Sequence, residues 1–276
     1  MINKWTGKLS ATEVFTKSLN ILSNNIMDIF KISLIFYIIP SLLIVTISAF
    51  LGVNTLSFNV LSNFSNNIKY LFSNSLIFLW IPISILLCLI PILGNFAIVK
   101  LINSKLKDEK TIWYECIKYA FSKTGSALLL ILITLVISTI WTFTIVLFIT
   151  IVCIFTFFRG LPIAIITILA LTAILFIFLQ FIIQSIVNED LGVLAAIKHS
   201  VNLVKIRFWN AFGKIALLKL VCFLFNAGLT MFAIIPFVGI ILSTLITLCL
   251  TIFQHIAVTI IFNDYEQDPN KLEFKI

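Results

Sequence analysis

The sequence predicts an all-α, polytopic membrane protein, with six transmembrane helices forming three hairpins, each preceded by a cytoplasmic amphipathic helix. Three observations predict it: the composition, six long apolar runs, and a lopsided distribution of charge. Of 276 residues, 61% are hydrophobic and only 11% are charged, and the mean hydropathy is +1.17. Soluble domains average about 45–50% apolar and about 25% charged residues. A water-soluble globule could not hide this much apolar surface, and a disordered chain would not carry it.

The apolar runs fall at 29–51, 75–99, 126–157, 161–187, 214–235 and 237–262. A helix needs roughly 20 apolar residues to cross a bilayer core about 30 Å thick. The runs are continuous rather than alternating, which excludes transmembrane strands. Between them, 17 of the 19 Lys and Arg residues and all 11 acidic residues fall on alternate connections. By the positive-inside rule, both termini lie in the cytoplasm. The net charge of +8 and the pI near 9.3 are this bias, so no nucleic-acid partner is implied. Heavy use of Ile, Asn and Lys, with only two Arg, points to a bacterial inner (cytoplasmic) membrane.

Each element follows in order. Residues 1–28 are polar and amphipathic rather than a cleavable signal, so the first span reads as an uncleaved anchor. Within 10–27, Ser10 and Glu13 have capping-box spacing, followed by Leu19, Leu22 and Ile26. Pro40, Pro82 and Pro91 interrupt spans one and two, with Gly94 after them, and predict kinks. An Asn- and Ser-rich external loop covers 52–74, whereas Arg159–Pro162 and Pro236 make tight external turns. Residues 111–123 and 189–210 repeat the amphipathic pattern before spans three and five. Trp5, Trp113 and Trp209 in these segments suit interfacial anchoring. Four of the five cysteines fall within spans and Cys116 on the reducing side, so they read as small core residues.

An internal repeat emerges. Ser18-Leu19-Asn20-Ile21-Leu22 aligns with Ser200-Val201-Asn202-Leu203-Val204 at an offset of 182, and Ile26 and Phe30 match Phe208 and Phe212. The middle copy is weaker. The chain thus reads as a single membrane domain, 1–276, of three units at about 8–100, 104–187 and 188–263, with a cytoplasmic tail at 264–276.

The segment from Asn188-Glu189-Asp190-Leu191-Gly192 through His199-Ser200 to Trp209 resembles the membrane domain of bacterial glycerophosphoryl diester phosphodiesterases. Ile235-Pro236-Phe237-Val238-Gly239 and Ile261-Phe262-Asn263-Asp264-Tyr265 are similar to that family's closing hairpin and tail. The resemblance implies a lipid-associated membrane module without catalytic residues, because in the full enzymes the chemistry belongs to a separate soluble barrel.

Chemistry-bearing motifs are absent from the sequence itself. It has two His, and no metal-ligand spacing, glycine-rich phosphate loop or nucleophile elbow. The paired acids Asp108-Glu109 and Glu189-Asp190 sit at helix starts, where capping explains them. No enzyme and no cofactor is expected. No Asp, Glu, Lys or Arg falls centrally in a span, and Lys214 and Lys219, in the first turns of span five, snorkel to the interface.

Two groups remain as candidate sites. Gln180, Gln184, Gln254 and His255 lie at similar depth toward the inner ends of spans four and six. They serve either as hydrogen-bonding links between helices, as Asn95 and Asn226 would, or as a polar cavity for a lipid headgroup. Lys198, Lys205, Arg207 and Lys214 are candidate contacts for anionic lipid. Membrane phospholipid is therefore the expected partner of a non-enzymatic protein. The alternatives are a permease component that docks a cytoplasmic ATPase, or an assembly or immunity factor for another membrane protein.

Overall fold

A computed structural model describes residues 9–43, 77–156, 160–230 and 238–266. Every regular element among them is helical. They are α1 (Ala11–Asn24), α2 (Ile26–Ser33), a π turn (Leu34–Ile38), α3 (Ile77–Leu106) and α4 (Trp113–Ser122). Then come α5 (Thr124–Thr156), α6 (Leu161–Leu179), α7 (Ile182–Asn188), α8 (Val193–Ile206), α9 (Phe208–Thr230) and α10 (Val238–Glu266). Six stretches are long and apolar enough to cross a membrane: Ile26–Leu43, Leu87–Leu106, Thr124–Phe155, Leu161–Asn188, Phe208–Gly228 and Leu245–Glu266. The expected loop at 52–74, Arg159, Pro236 and Trp5 lie outside the described residues.

Local chemistry sets the element boundaries. Ser10 N–H donates to the Glu13 carboxylate at 2.7 Å, and Glu13 N–H donates to Ser10 Oγ at 3.2 Å, which closes the capping box of α1. At α4 the Ile112 N–H donates to Glu115 Oε2 at 3.3 Å. The paired acids are not N-caps, and Glu189 instead closes the C-terminus of α7. Gly192 and Ile112 hold the N-cap positions, while Asp108 and Asp190 turn the chain at φ 57° and 53°. Aspartate is among the few non-glycine residues that tolerate this left-handed conformation.

Pro40 has no N–H to give, and its ring would strike the Phe36 carbonyl in a regular helix. The backbone answers by widening into the π turn, with Ile39 N–H bonded to Leu34 O. Gly94 of α3 lies against that turn. A Cβ there would meet Phe36 Cβ at 2.7 Å and the Tyr37 ring at 2.9 Å. Tyr37 then donates its hydroxyl to Asn95 Oδ1. One proline and one glycine thus produce a close helix crossing, whereas Pro82 and Pro91 sit within continuous α3.

Burial is uneven. Within an 18-residue apolar window of each span, 56% of residues are buried in Leu87–Leu106 of α3 and 50% in Leu245–Glu266 of α10, against 6% in Thr124–Phe155 of α5 and 11% in Leu161–Asn188, whose buried residues lie mostly in α7. Helix α3 packs on α10 and α7, and α10 packs on α9. Phe96, Ile98, Ile102, Ile186, Ile256 and Phe262 form the centre of this core. The described charged residues gather at the same end, around the C-termini of α3, α7 and α10 and the N-terminus of α9.

Three short helices share one burial register. Helices α1, α4 and α8 bury their fourth residues, Val14, Cys116 and Ala196, and their eighth, Ser18, Ala120 and Ser200. Both ends of α1 and α8 are related by the offset of 182. Small residues at these positions let each helix approach its neighbour closely: α4 lies on α3, α8 on α7, and α1 on α10. The middle segment, weak by alignment, therefore has the same buried stripe as the other two.

Candidate functional site

Asparagines meet where the second, fourth and sixth spans end. Asn188, the last residue of α7, donates through Nδ2 to Asn263 Oδ1 of α10 at 3.3 Å. Asn263 Nδ2 in turn donates to Asn103 Oδ1 of α3 at 3.4 Å. Asn103 and Asn263 are buried, so the chain of amides links three helices that sequence separation keeps far apart. Interhelical bonds of this kind in membranes are worth about 0.6 kcal/mol each.

Next to Asn263, the Asp264 side chain is fully buried. Its Oδ2 accepts from the Leu9 N–H at 3.2 Å and lies 3.6 Å from Lys214 Nζ. Lys214 Nζ also sits 5.0 Å from the centre of the Tyr265 ring, and Tyr265 donates its hydroxyl to Asn210 Oδ1 at 3.1 Å. The end of α10 thereby holds the starts of both α1 and α9. It continues as helix through Glu266, three residues into the segment read as a tail. On α8, His199 Nδ1 lies 3.0 Å from Ser185 Oγ and Nε2 lies 3.4 Å from the Glu266 carboxylate. Lys123 pairs with Asp190 across the loop before α8.

The sequence-predicted amides separate into two places. Gln180 marks the break between α6 and α7. There Ser200 Oγ accepts from the Phe181 N–H at 3.2 Å and donates to Phe178 O at 2.7 Å, replacing helix bonds lost at the break. Gln184 is one turn further, only 1% exposed. The side-chain oxygens of Gln180, Gln184 and Asn188 have no hydrogen-bond donor. Gln254 Oε1, by contrast, accepts from Lys219 Nζ of α9 at 2.6 Å, with His255 beside it in α10. No described hydrogen bond joins the two pairs. Asn95 pairs with Tyr37, and Asn226 Oδ1 accepts from Thr247 at 2.9 Å.

The basic residues also differ among themselves. Lys198 and Lys205 are exposed on α8, and Arg207 is half-buried over the Tyr265 ring. Lys214 is turned inward, with a side chain 9% exposed. The helix starts at Phe208 rather than near 214, so Lys214 is in its second turn and Lys219 in its fourth. Lys219, expected to snorkel, bonds Gln254 instead. The asparagine set and Asp264 were missed as a site, although Asn followed by an acid at 188–189 and at 263–264 was a visible signal.

Outside the spans, burial pushes the Cys116 thiol up to about 11 and the Tyr119 hydroxyl up to about 12. Cys116 therefore stays a protonated packing residue, and Tyr119 donates to Val187 O at 3.3 Å. Among the described residues no three of His, Cys, Asp and Glu come together as a metal-holding group. No family model, no curated protein and no solved structure matches this chain.

Proposed function

We propose that this chain is a non-enzymatic, multi-pass protein of a bacterial inner membrane that associates with phospholipid at the cytoplasmic leaflet. Both termini face the cytoplasm, and each of three units is an interfacial helix followed by a two-span hairpin, akin to the membrane domain of glycerophosphoryl diester phosphodiesterases. The shared burial stripe of α1, α4 and α8 supports the three-unit reading.

One observation carries the lipid association. Helix α8 and the start of α9 expose Leu194, Ile206 and Trp209 next to exposed Lys198 and Lys205. Apolar side chains of this size beside cations suit the boundary between acyl chains and anionic headgroups, where each basic residue contributes about 1 kcal/mol. Mass spectrometry of the gently purified chain provides the test. Retained phospholipid enriched in anionic species is expected. A stoichiometric nucleotide-binding protein without retained lipid would overturn this reading in favour of a transport component.

A further inference from the structure

The fourth span is two helices held very differently. Helix α6 buries only Ala164 and Ile177 of its 19 residues, whereas α7 buries five of its seven. Helix α6 packs on α5, α8 and α9, while α7 packs on α3 and α8. Aromatic rings divide the same way at the break between them. Phe178 stacks on Phe208 at 5.7 Å, beside the exposed Trp209. Phe181 is instead fully buried, 5.9 Å from Phe262 and 6.0 Å from Tyr265 of α10. A firmly packed stub thus carries a long arm, on which Ile163, Ile166 and Leu169 are 70%, 67% and 64% exposed.

The break has a defined alternative. In an unbroken helix the Phe181 N–H would donate to Ile177 O, and Phe178 O would accept from the Ile182 N–H. Here Ile177 O accepts from the Gln180 N–H at 3.2 Å. Ser200 Oγ of α8 stands in for both missing partners, accepting from the Phe181 N–H and donating to Phe178 O. Straightening would restore the two helix bonds and release the hydroxyl, which a helical serine returns to its own carbonyl four residues back, at Ala196. Hydrogen bonds therefore nearly balance between the two forms, and the position of α8 decides between them. Helix α8 packs on both sides of the break. Ser200 lies on its buried face, and the opposite face presents Leu194, Lys198 and Lys205.

We propose that the α6–α7 break is a two-state joint latched by Ser200, and that anionic phospholipid bound along α8 keeps it latched. This rests on the lipid-associated reading above and adds a regulatory consequence to it. Headgroups on Lys198 and Lys205, with Trp209 at the interface, hold α8 at the depth where Ser200 reaches the break. Without them α8 shifts, the fourth span straightens, and the α5–α6 hairpin swings among acyl chains that solvate either position equally well.

The test is a distance across the hairpin in the full chain, in nanodiscs of phosphatidylglycerol or of phosphatidylcholine. Spin labels go on the exposed native Cys88 of α3 and on Ile163→Cys of α6, with the other four cysteines replaced by alanine. A rotation of about 10° at the break moves residue 163, about 25 Å away along α6, by about 4 Å. A shift of that size between the two lipids is the expected result. Ser200→Ala, and the exposed pair Lys198→Gln with Lys205→Gln, should give the phosphatidylcholine distance in both. The exposed pair keeps the test decisive if Ser200→Ala does not fold. Equal distances in both lipids, an unchanged lipid response in Ser200→Ala, or a wild-type response in the lysine pair each overturn the joint. If phosphatidylglycerol is still retained on purification, the lipid-associated reading then stands without it. If none is retained, both fall.

Discussion

Helices α5 and α6 share the apolar composition of α3 and α10 but not their surroundings. Within an 18-residue apolar window of each, Thr124–Phe155 is 6% buried, while Leu87–Leu106 is 56% buried. In water such a difference would mark an unfinished core. In a bilayer it does not, because acyl chains solvate Leu and Phe as well as a neighbouring helix does. Polar side chains have no such substitute, and this is where the regions part. Most hydroxyls of α5, such as Thr139, Thr142 and Thr150, bond back to carbonyls of their own helix. Asn103, Asn188, Asn263, Asp264 and Lys214 find partners only on other helices. Packing in this protein follows the polar groups, and they are concentrated at the charged end.

The strongest way to break the comparison is to remove Asp264. Asp264→Ala leaves the Lys214 ammonium buried without its counter-charge and should cost about 3–5 kcal/mol. Reversible denaturant unfolding in mixed micelles would measure it, and a loss below 1 kcal/mol would place Lys214 in water. Gly94→Leu comes next. Its Cβ would sit 2.7 Å from Phe36 Cβ, so the π turn must separate from α3 at a cost of about 1–3 kcal/mol, seen as a lower melting temperature. Asn263→Leu removes two amide bonds and should cost about 1 kcal/mol in the same assay.

The smallest effect concerns pH. Hydrogen bonds from Ser10 hold the Glu13 carboxyl below its usual 4.5. A carboxylate with a lowered folded value stabilises above its unfolded range, and that support disappears as pH falls through the folded value. Amide protection at the start of α1 should therefore be full near neutrality and decline below the ordinary carboxylate range. Glu13→Gln should remove that pH dependence in hydrogen exchange and leave α4 unaffected, whereas Ser10→Ala, which keeps the backbone donor, should only reduce it.

Much of this architecture was legible in the sequence because a bilayer imposes local rules. A span must be apolar along its whole length, and cations must collect on alternate connections, so six runs and one charged side could be counted. The capping box at Ser10 and Glu13 is equally local. The asparagine set was not legible, because Asn103 and Asn263 are 160 residues apart and no spacing rule connects them. Lys214 shows the opposite failure. Its place near a span end suggested a solvent-facing cation, but the earlier start of α9 carried it inward to a carboxylate 50 residues later. The middle short helix was hidden for a third reason: what it shares with the others is small buried size at two positions, not residue identity.

Photolabelling with an acyl-chain diazirine phospholipid in nanodiscs, mapped by peptide, tests the central contrast most directly. Heavy labelling of α5 and α6, with 93–103 of α3 and 252–265 of α10 left unlabelled, is the expected pattern. Labelling of those α3 and α10 segments, with α5 and α6 protected, would contradict it.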